Sequence, residues 1–143
     1  MQVRDYMQAL TVTVFPEDLL STARRRMQEL YIRHLPVVVT GNQIVGVITD
    51  RDIRQAGLWR DDFRNGLDGN AALHVMTVQE CMTRDVHAVD PATDLVEAGA
   101  YLLDHKIDCL PVVDDDGVLH GIITLSDFVR AYIERYGAPS IAS

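Results

Sequence analysis

Apolar residues follow two rhythms along this chain, and the rhythms come in the same order twice. Leu20, Ala23, Met27 and Leu30 step by three and four, so a helix places them on one face. Leu95, Ala98 and Leu102 repeat the spacing. Residues 36–39 and 111–113 are short, unbroken apolar runs, as in strands buried on both faces. Pro36 and Pro111 open these runs, where a proline costs no ladder bond. Residues 11–14 and 86–89 are β-prone and end near Pro16 and Pro91. Asp18 and Thr93 are the expected N-terminal caps of the helices that follow. Gly41-Asn42 and Asp116-Gly117 predict tight turns, each leading into a further strand. A second helix then closes each half. In the last one Phe128, Val129, Tyr132, Ile133 and Tyr136 are expected on one face. The predicted order is β-α-β-β-α, twice: an α/β (α+β) fold of two halves related by a pseudo-twofold axis.

The doubling is also visible residue by residue. A shift of 75 positions aligns the halves without a gap. Met7 falls on Met82, Val14 on Val89, Pro16 on Pro91 and Ile32 on Ile107. Leu35-Pro36-Val37-Val38 falls on Leu110-Pro111-Val112-Val113, and Gly46, Ile48, Thr49 and Asp52 fall on Gly121, Ile123, Thr124 and Asp127. The expected organisation is a first repeat over 1–57, a linker over 58–76 that contains Trp59, a second repeat over 77–136 and a flexible tail over 137–143.

Composition narrows the choice of function. The chain has 143 residues, 48% of them hydrophobic, enough for one compact domain or two interlocked halves. Its formal net charge is −8, which repels a polyanion and disfavours nucleic acid. Arg24-Arg25-Arg26, the one basic run, reads as the solvated face of a helix. Two distant cysteines give no disulfide framework, and the five histidines have no metal-type spacing. No signal peptide or membrane span is expected, so the expected location is cytoplasmic. Asp114-Asp115-Asp116 reads as a solvated turn.

Candidate chemistry sits in two related segments, Gly46-Val47-Ile48-Thr49-Asp50-Arg51-Asp52 and Gly121-Ile122-Ile123-Thr124-Leu125-Ser126-Asp127. In each, a strand ends and Thr-x-x-Asp opens a helix. A helix start offers unpaired N–H groups and a partial positive charge, which favour a phosphate. An ionised aspartate can accept from two neighbouring hydroxyls, as on a ribose. The same pattern is also an ordinary capping box, which needs no ligand.

The repeat order, the Leu-Pro-Val-Val strand and the Gly-h-h-Thr-x-x-Asp ending (h is apolar) resemble the CBS (cystathionine-β-synthase) domain family. The resemblance covers both halves and leaves out only the linker and tail. It implies a stand-alone pair, a Bateman-type module, with two clefts that take AMP, ADP, ATP or S-adenosylmethionine. It implies that Asp52 and Asp127 hold ribose hydroxyls, that Thr49 and Thr124 lie beside phosphates, and that the residues before Leu-Pro line the clefts. Residue identity then separates the two. The first carries Arg33, His34 and Arg51, and guanidinium groups bind phosphate through forked hydrogen bonds. The second carries Asp108, Cys109 and Ser126, and Asp108 repels a phosphate. The first is expected to take a phosphorylated nucleotide; the second, a nucleoside, a cationic ligand such as S-adenosylmethionine, or nothing. Solvated surface charge is the competing reading of Arg33 and Arg51.

The expected function is therefore a regulatory adenine-nucleotide-binding module that senses energy state or adenosyl metabolites. It would act on itself, as a homodimer that the family implies, or on a separate regulated protein. The alternative is a ligand-free interaction module that promotes oligomerisation. An enzyme is disfavoured, because no nucleophile, base and oxyanion donor stand at recognisable spacing. No cofactor and no metal are expected.

Overall fold

The computed structural model describes residues 1–9, 12–60 and 73–137, without the side chains of 58–60. The expectations for Trp59, for most of the linker and for residues 138–143 lie outside that set.

The elements are α1 (Leu20–Leu30), β1 (His34–Val39), β2 (Gln43–Thr49), α2 (Asp50–Arg60), α3 (Val78–Cys81), α4 (Leu95–His105), β3 (Cys109–Val113), β4 (Leu119–Thr124) and α5 (Leu125–Tyr136), with a short 3-10 turn at Val3–Asp5. β1 pairs antiparallel with β2, and β3 with β4, in the same register: His34 faces Thr49 as Cys109 faces Thr124. Among the described residues no helix is long and apolar enough to cross a membrane.

Compact units and sequence repeats do not coincide. One unit comprises Val12–Val86; the other joins Met1–Thr11 to His87–Ser143. The hydrogen bonds give the reason. Gln8 exchanges both backbone bonds with Ile122 on β4, at 2.8 and 3.1 Å, and Thr83 does the same with Val47 on β2, at 2.9 and 3.0 Å. The carbonyls of Met1 and Met76 accept from Leu95 N and Leu20 N, the first helical N–H of α4 and α1. Helix starts otherwise leave such groups without a partner. Each sheet is thus completed on its outer edge by a segment that precedes the other repeat in sequence. Val3 accordingly joins the core of Leu95, Ala98, Leu102, Leu110, Val112 and Ile123. Met76 and Val78 join that of Leu20, Ala23, Met27, Leu35, Val37 and Ile48. Full burial of such a side chain contributes roughly 1.5–3 kcal/mol.

Several local expectations change. Among the described residues, 12–14 and 86–89 contribute only single parallel bridges, Val14 to Val37 and Val89 to Val112. Pro36 stands third in β1, not first. It still removes no ladder bond, because its partner Val47 donates to Thr83 instead. Neither Asp18 nor Thr93 caps a helix. The N-caps are Leu19 and Asp94, and Asp18 Oδ2 accepts from Phe15 N at 2.8 Å. The α1 and α4 stripes are buried as the spacing predicts, up to Met27 and Leu102, whereas Leu30 is exposed. On α5, Phe128 packs on the core, but Val129, Tyr132, Ile133 and Tyr136 are exposed. The inward positions of that helix are Asp127 and Ala131.

The β3–β4 turn is more than solvated charge. Asp114 Oδ1 accepts from the N–H groups of Asp116 and Val118 at 2.9 and 3.0 Å, and Oδ2 meets His120 Nε2 at 2.8 Å. The His120 bond first, and then the backbone bonds, hold the Asp114 carboxyl below its ordinary value. A lowered folded value means that the turn's stabilisation is present above the ordinary aspartate range, near pH 4, and is lost as pH falls through the folded value. The amide shifts of Asp116 and Val118 should therefore titrate below pH 4 in NMR. His120→Ala should move that midpoint upward; an unmoved midpoint would contradict the assigned cause.

Candidate functional site

Each sheet delivers a Thr-x-x-Asp element at the end of its second strand, where the chain turns into a helix. In the first unit Thr49 N donates to Asp52 Oδ2 at 3.0 Å and Asp52 N donates to Thr49 Oγ1 at 3.0 Å. This is a reciprocal capping box. The Arg33 carbonyl accepts from Asp50 N at 2.9 Å, which ties the loop before β1 to the start of α2. Arg33 is therefore one backbone bond from the Thr49–Asp52 element. Arg33 and Arg51 are exposed, whereas His34, Thr49 and Asp52 are half-buried. Among the described residues no carboxylate pairs with Arg33 or Arg51.

Among the described residues Asp52 uses only one of its oxygens. Besides Thr49 N, Oδ2 accepts a long bond, 3.4 Å, from Thr83 Oγ1. Among the described residues Oδ1 has no hydrogen-bond partner. The element thus combines an open carboxylate oxygen, a helix N-terminus and two cationic side chains. Chemically that suits a ligand with hydroxyl donors at one end and negative charge at the other.

The second unit has the same backbone and a different chemistry. The Asp108 carbonyl accepts from Leu125 N at 3.1 Å, as Arg33 does from Asp50. Thr124 caps α5, with Thr124 N donating to Asp127 Oδ2 at 2.8 Å and Thr124 Oγ1 to the same oxygen at 3.3 Å. Asp127, however, is 1% exposed. Its Oδ1 accepts from Gln8 Nε2 at 2.9 Å and from Arg130 Nη2 at 3.0 Å. Both oxygens of Asp127 therefore have partners. Burying a carboxylate is costly unless it is paired and hydrogen-bonded, and the N-terminal segment and α5 supply those partners. Arg130 also donates to the Tyr6 carbonyl at 2.9 Å, and Tyr6 Oη donates to Glu134 at 2.8 Å.

Ser126 and Asp108 are exposed. Cys109 is half-buried at the start of β3. Burial first, and the Asp108 charge second, push its thiol up to about 12. That leaves almost no thiolate near neutral pH, as in an inert structural cysteine. Sequence reasoning missed Gln8, Thr83 and Arg130. The signal was available: Gln8 and Thr83 are 75 positions apart, as are Gln55 and Arg130, and both pairs differ in kind between halves that otherwise match.

The glycine that opens each element has a steric reason. A Cβ on Gly121 would overlap the Gln8 carbonyl oxygen, and one on Gly46 would stand 2.9 Å from the Thr83 carbonyl oxygen and 2.7 Å from Met82 Sδ. Only a bare Cα admits the edge segment so closely.

Comparison with known proteins agrees with this architecture. The chain is 37% identical over 116 residues to an inosine-5′-monophosphate dehydrogenase of Korarchaeum cryptofilum, a match covering 81% of this chain and 21% of that enzyme. It thus spans about a fifth of the dehydrogenase. Among solved structures, CBSX2 in complex with AMP superimposes with a TM-score of 0.81 at 29% identity, covering 95% of this chain and 98% of the other. The CBS domain pair of protein MJ0100, in complex with 5′-methylthioadenosine and S-adenosyl-L-methionine, gives 0.76 at 26% identity, with 94% and 98% covered. The sequence model of the CBS domain matches residues 3–58 and again 78–134, the two stretches that carry the paired strands and capped helices, and the chain therefore belongs to the CBS domain family as a tandem pair.

Proposed function

We propose that this chain is a regulatory module that binds one adenine nucleotide of the AMP, ADP or ATP class at the Thr49–Asp52 element and performs no catalysis itself. The observation that carries this reading is the unpartnered Oδ1 of Asp52 beside a helix N-terminus, with Arg33 and Arg51 free of ion pairs among the described residues. A ribose diol satisfies the carboxylate, and the arginines meet the phosphate. The AMP bound by CBSX2 has this polarity, and the adenosyl ligands bound by MJ0100 share its ribose diol. Ligand binding would bias two states of the module through unequal affinity, in a homodimer joined through the exposed α5 residues Val129, Tyr132, Ile133 and Tyr136 or in a complex with a separate regulated protein.

Calorimetry with AMP tests the assignment. The wild-type chain should bind one equivalent, and Asp52→Asn and Arg33→Ala should each weaken binding about tenfold or more, since a hydrogen bond to a charged group is worth roughly 1.5–3 kcal/mol. AMP should also raise the thermal midpoint of the wild-type chain, because a ligand held only by the folded state stabilises it. No binding of AMP, ADP or ATP would reject the nucleotide reading. It would favour the ligand-free interaction module, for which light scattering of the full chain reports the assembly.

A further inference from the structure

The two halves share a backbone yet treat their aspartates differently, and two residues account for the difference. Gln8 occupies the place that Thr83 has in the other unit, and Arg130 the place of Gln55. Gln8 reaches Asp127 Oδ1 at 2.9 Å and Arg130 reaches the same oxygen at 3.0 Å. Thr83 makes only a 3.4 Å contact, to the other oxygen of Asp52. Among the described residues Gln55 makes no hydrogen bond to Asp52.

We propose that Gln8 and Arg130 are specificity-determining residues that reserve the Asp127 carboxylate, so that the second half is closed to a nucleoside and the chain takes one ligand rather than two. The proposal rests on the nucleotide reading of the first half. Its chemistry is a matter of counting donors. A cis-diol brings two O–H donors to one carboxylate. Gln8 and Arg130 bring two N–H donors to the oxygen of Asp127 that its own helix cap leaves over. A nucleoside must displace both to reach that oxygen, and the displaced guanidinium and carboxamide would lose charge-assisted bonds. Gln8 is anchored by its backbone pair with Ile122 and Arg130 by its bond to the Tyr6 carbonyl, so neither side chain is free to swing clear at no cost. Asp108 adds negative charge at this element, so the matching probe is an uncharged nucleoside.

Grafting the first half's residues onto the second tests this. The full chain carrying Asp52→Asn is compared with the same chain carrying Gln8→Thr and Arg130→Gln in addition, by calorimetry with adenosine and 2′-deoxyadenosine. The expected result is no detectable adenosine binding in the first protein and one equivalent in the second, at least tenfold tighter for adenosine than for 2′-deoxyadenosine. A graft that binds no adenosine, or an Asp52→Asn chain that already binds it as tightly as the graft, would overturn the proposal. Urea midpoints establish that each protein is folded. Should the double graft unfold, Gln8→Thr alone, which leaves the Arg130 pair in place, is judged by the same criterion. Absence of AMP binding by the wild-type chain is a separate outcome: it removes the nucleotide reading of the first half, while the graft still decides this one.

Discussion

Asp127→Ala should lower the unfolding free energy of its unit by about 2–3 kcal/mol, whereas Asp52→Ala should cost only about 1 kcal/mol, the order of a lost capping interaction. Both aspartates close a capping box with the preceding threonine. Only Asp127 is buried, and only Asp127 also bonds a residue 119 positions away in the chain, Gln8. Its removal takes away the acceptor of the Gln8 and Thr124 N–H bonds, and a lost hydrogen bond in a partly buried place costs roughly 1–3 kcal/mol. The Arg130 side chain is 46% exposed and pairs with Asp127 at 3.0 Å. Water can recover part of its solvation, which keeps the estimate below the roughly 3–5 kcal/mol for breaking a fully buried ion pair. Urea denaturation of the two variants, at unchanged slope, measures the contrast. Equal losses would mean that the polar network around Asp127 contributes little.

Gly121→Ala should cost a further 2–3 kcal/mol, about the upper end for overpacking a core position. The added carbon would overlap the Gln8 carbonyl oxygen, and a backbone atom in a ladder cannot turn aside as a side-chain tip can. The edge bridge between Gln8 and Ile122 must open or shift. Hydrogen exchange should then accelerate at the amides of Gln8 and Ile122, the two donors of that bridge. Gly46→Ala meets the Thr83 carbonyl at 2.9 Å and the flexible Met82 side chain, so its loss should be smaller. An alanine at 121 with normal stability and slow exchange at both amides would contradict the close approach.

Much of this architecture was legible in one dimension. The period of Leu20, Ala23 and Met27, and of Leu95, Ala98 and Leu102, placed two helices and their buried faces. The Leu-Pro-Val-Val runs placed two central strands. Where local reasoning failed, a tertiary contact had replaced a local one. Leu19 and Asp94 could serve as N-caps without a side-chain bond because the Met76 and Met1 carbonyls take the first helical N–H groups. Asp18 was then free to bond Phe15 N. The apolar positions of α5 are expected on one face, yet Phe128 packs on the core while Tyr132 and Tyr136 are exposed, and Asp127 takes an inward place because Gln8 and Arg130 satisfy it.

The candidate site divides in the same way. Residue types alone distinguished a first element with Arg33 and Arg51 from a second with Asp108 and Ser126, because charge belongs to the residue wherever it stands. Whether a given aspartate is open or closed was not legible, since Thr-x-x-Asp reads identically in both halves. Only the folding of residues 1–9 against β4 and α5 settled it. Sequence by itself determined the repeat, the main helices and paired strands and the charge of each half, because residue identity and local periodicity carry all three. Tertiary structure decided which chain segments complete each sheet and which carboxylate keeps an oxygen to spare among the described residues, because hydrogen-bond partners from 31 to 119 positions apart are chosen by packing and not by local pattern.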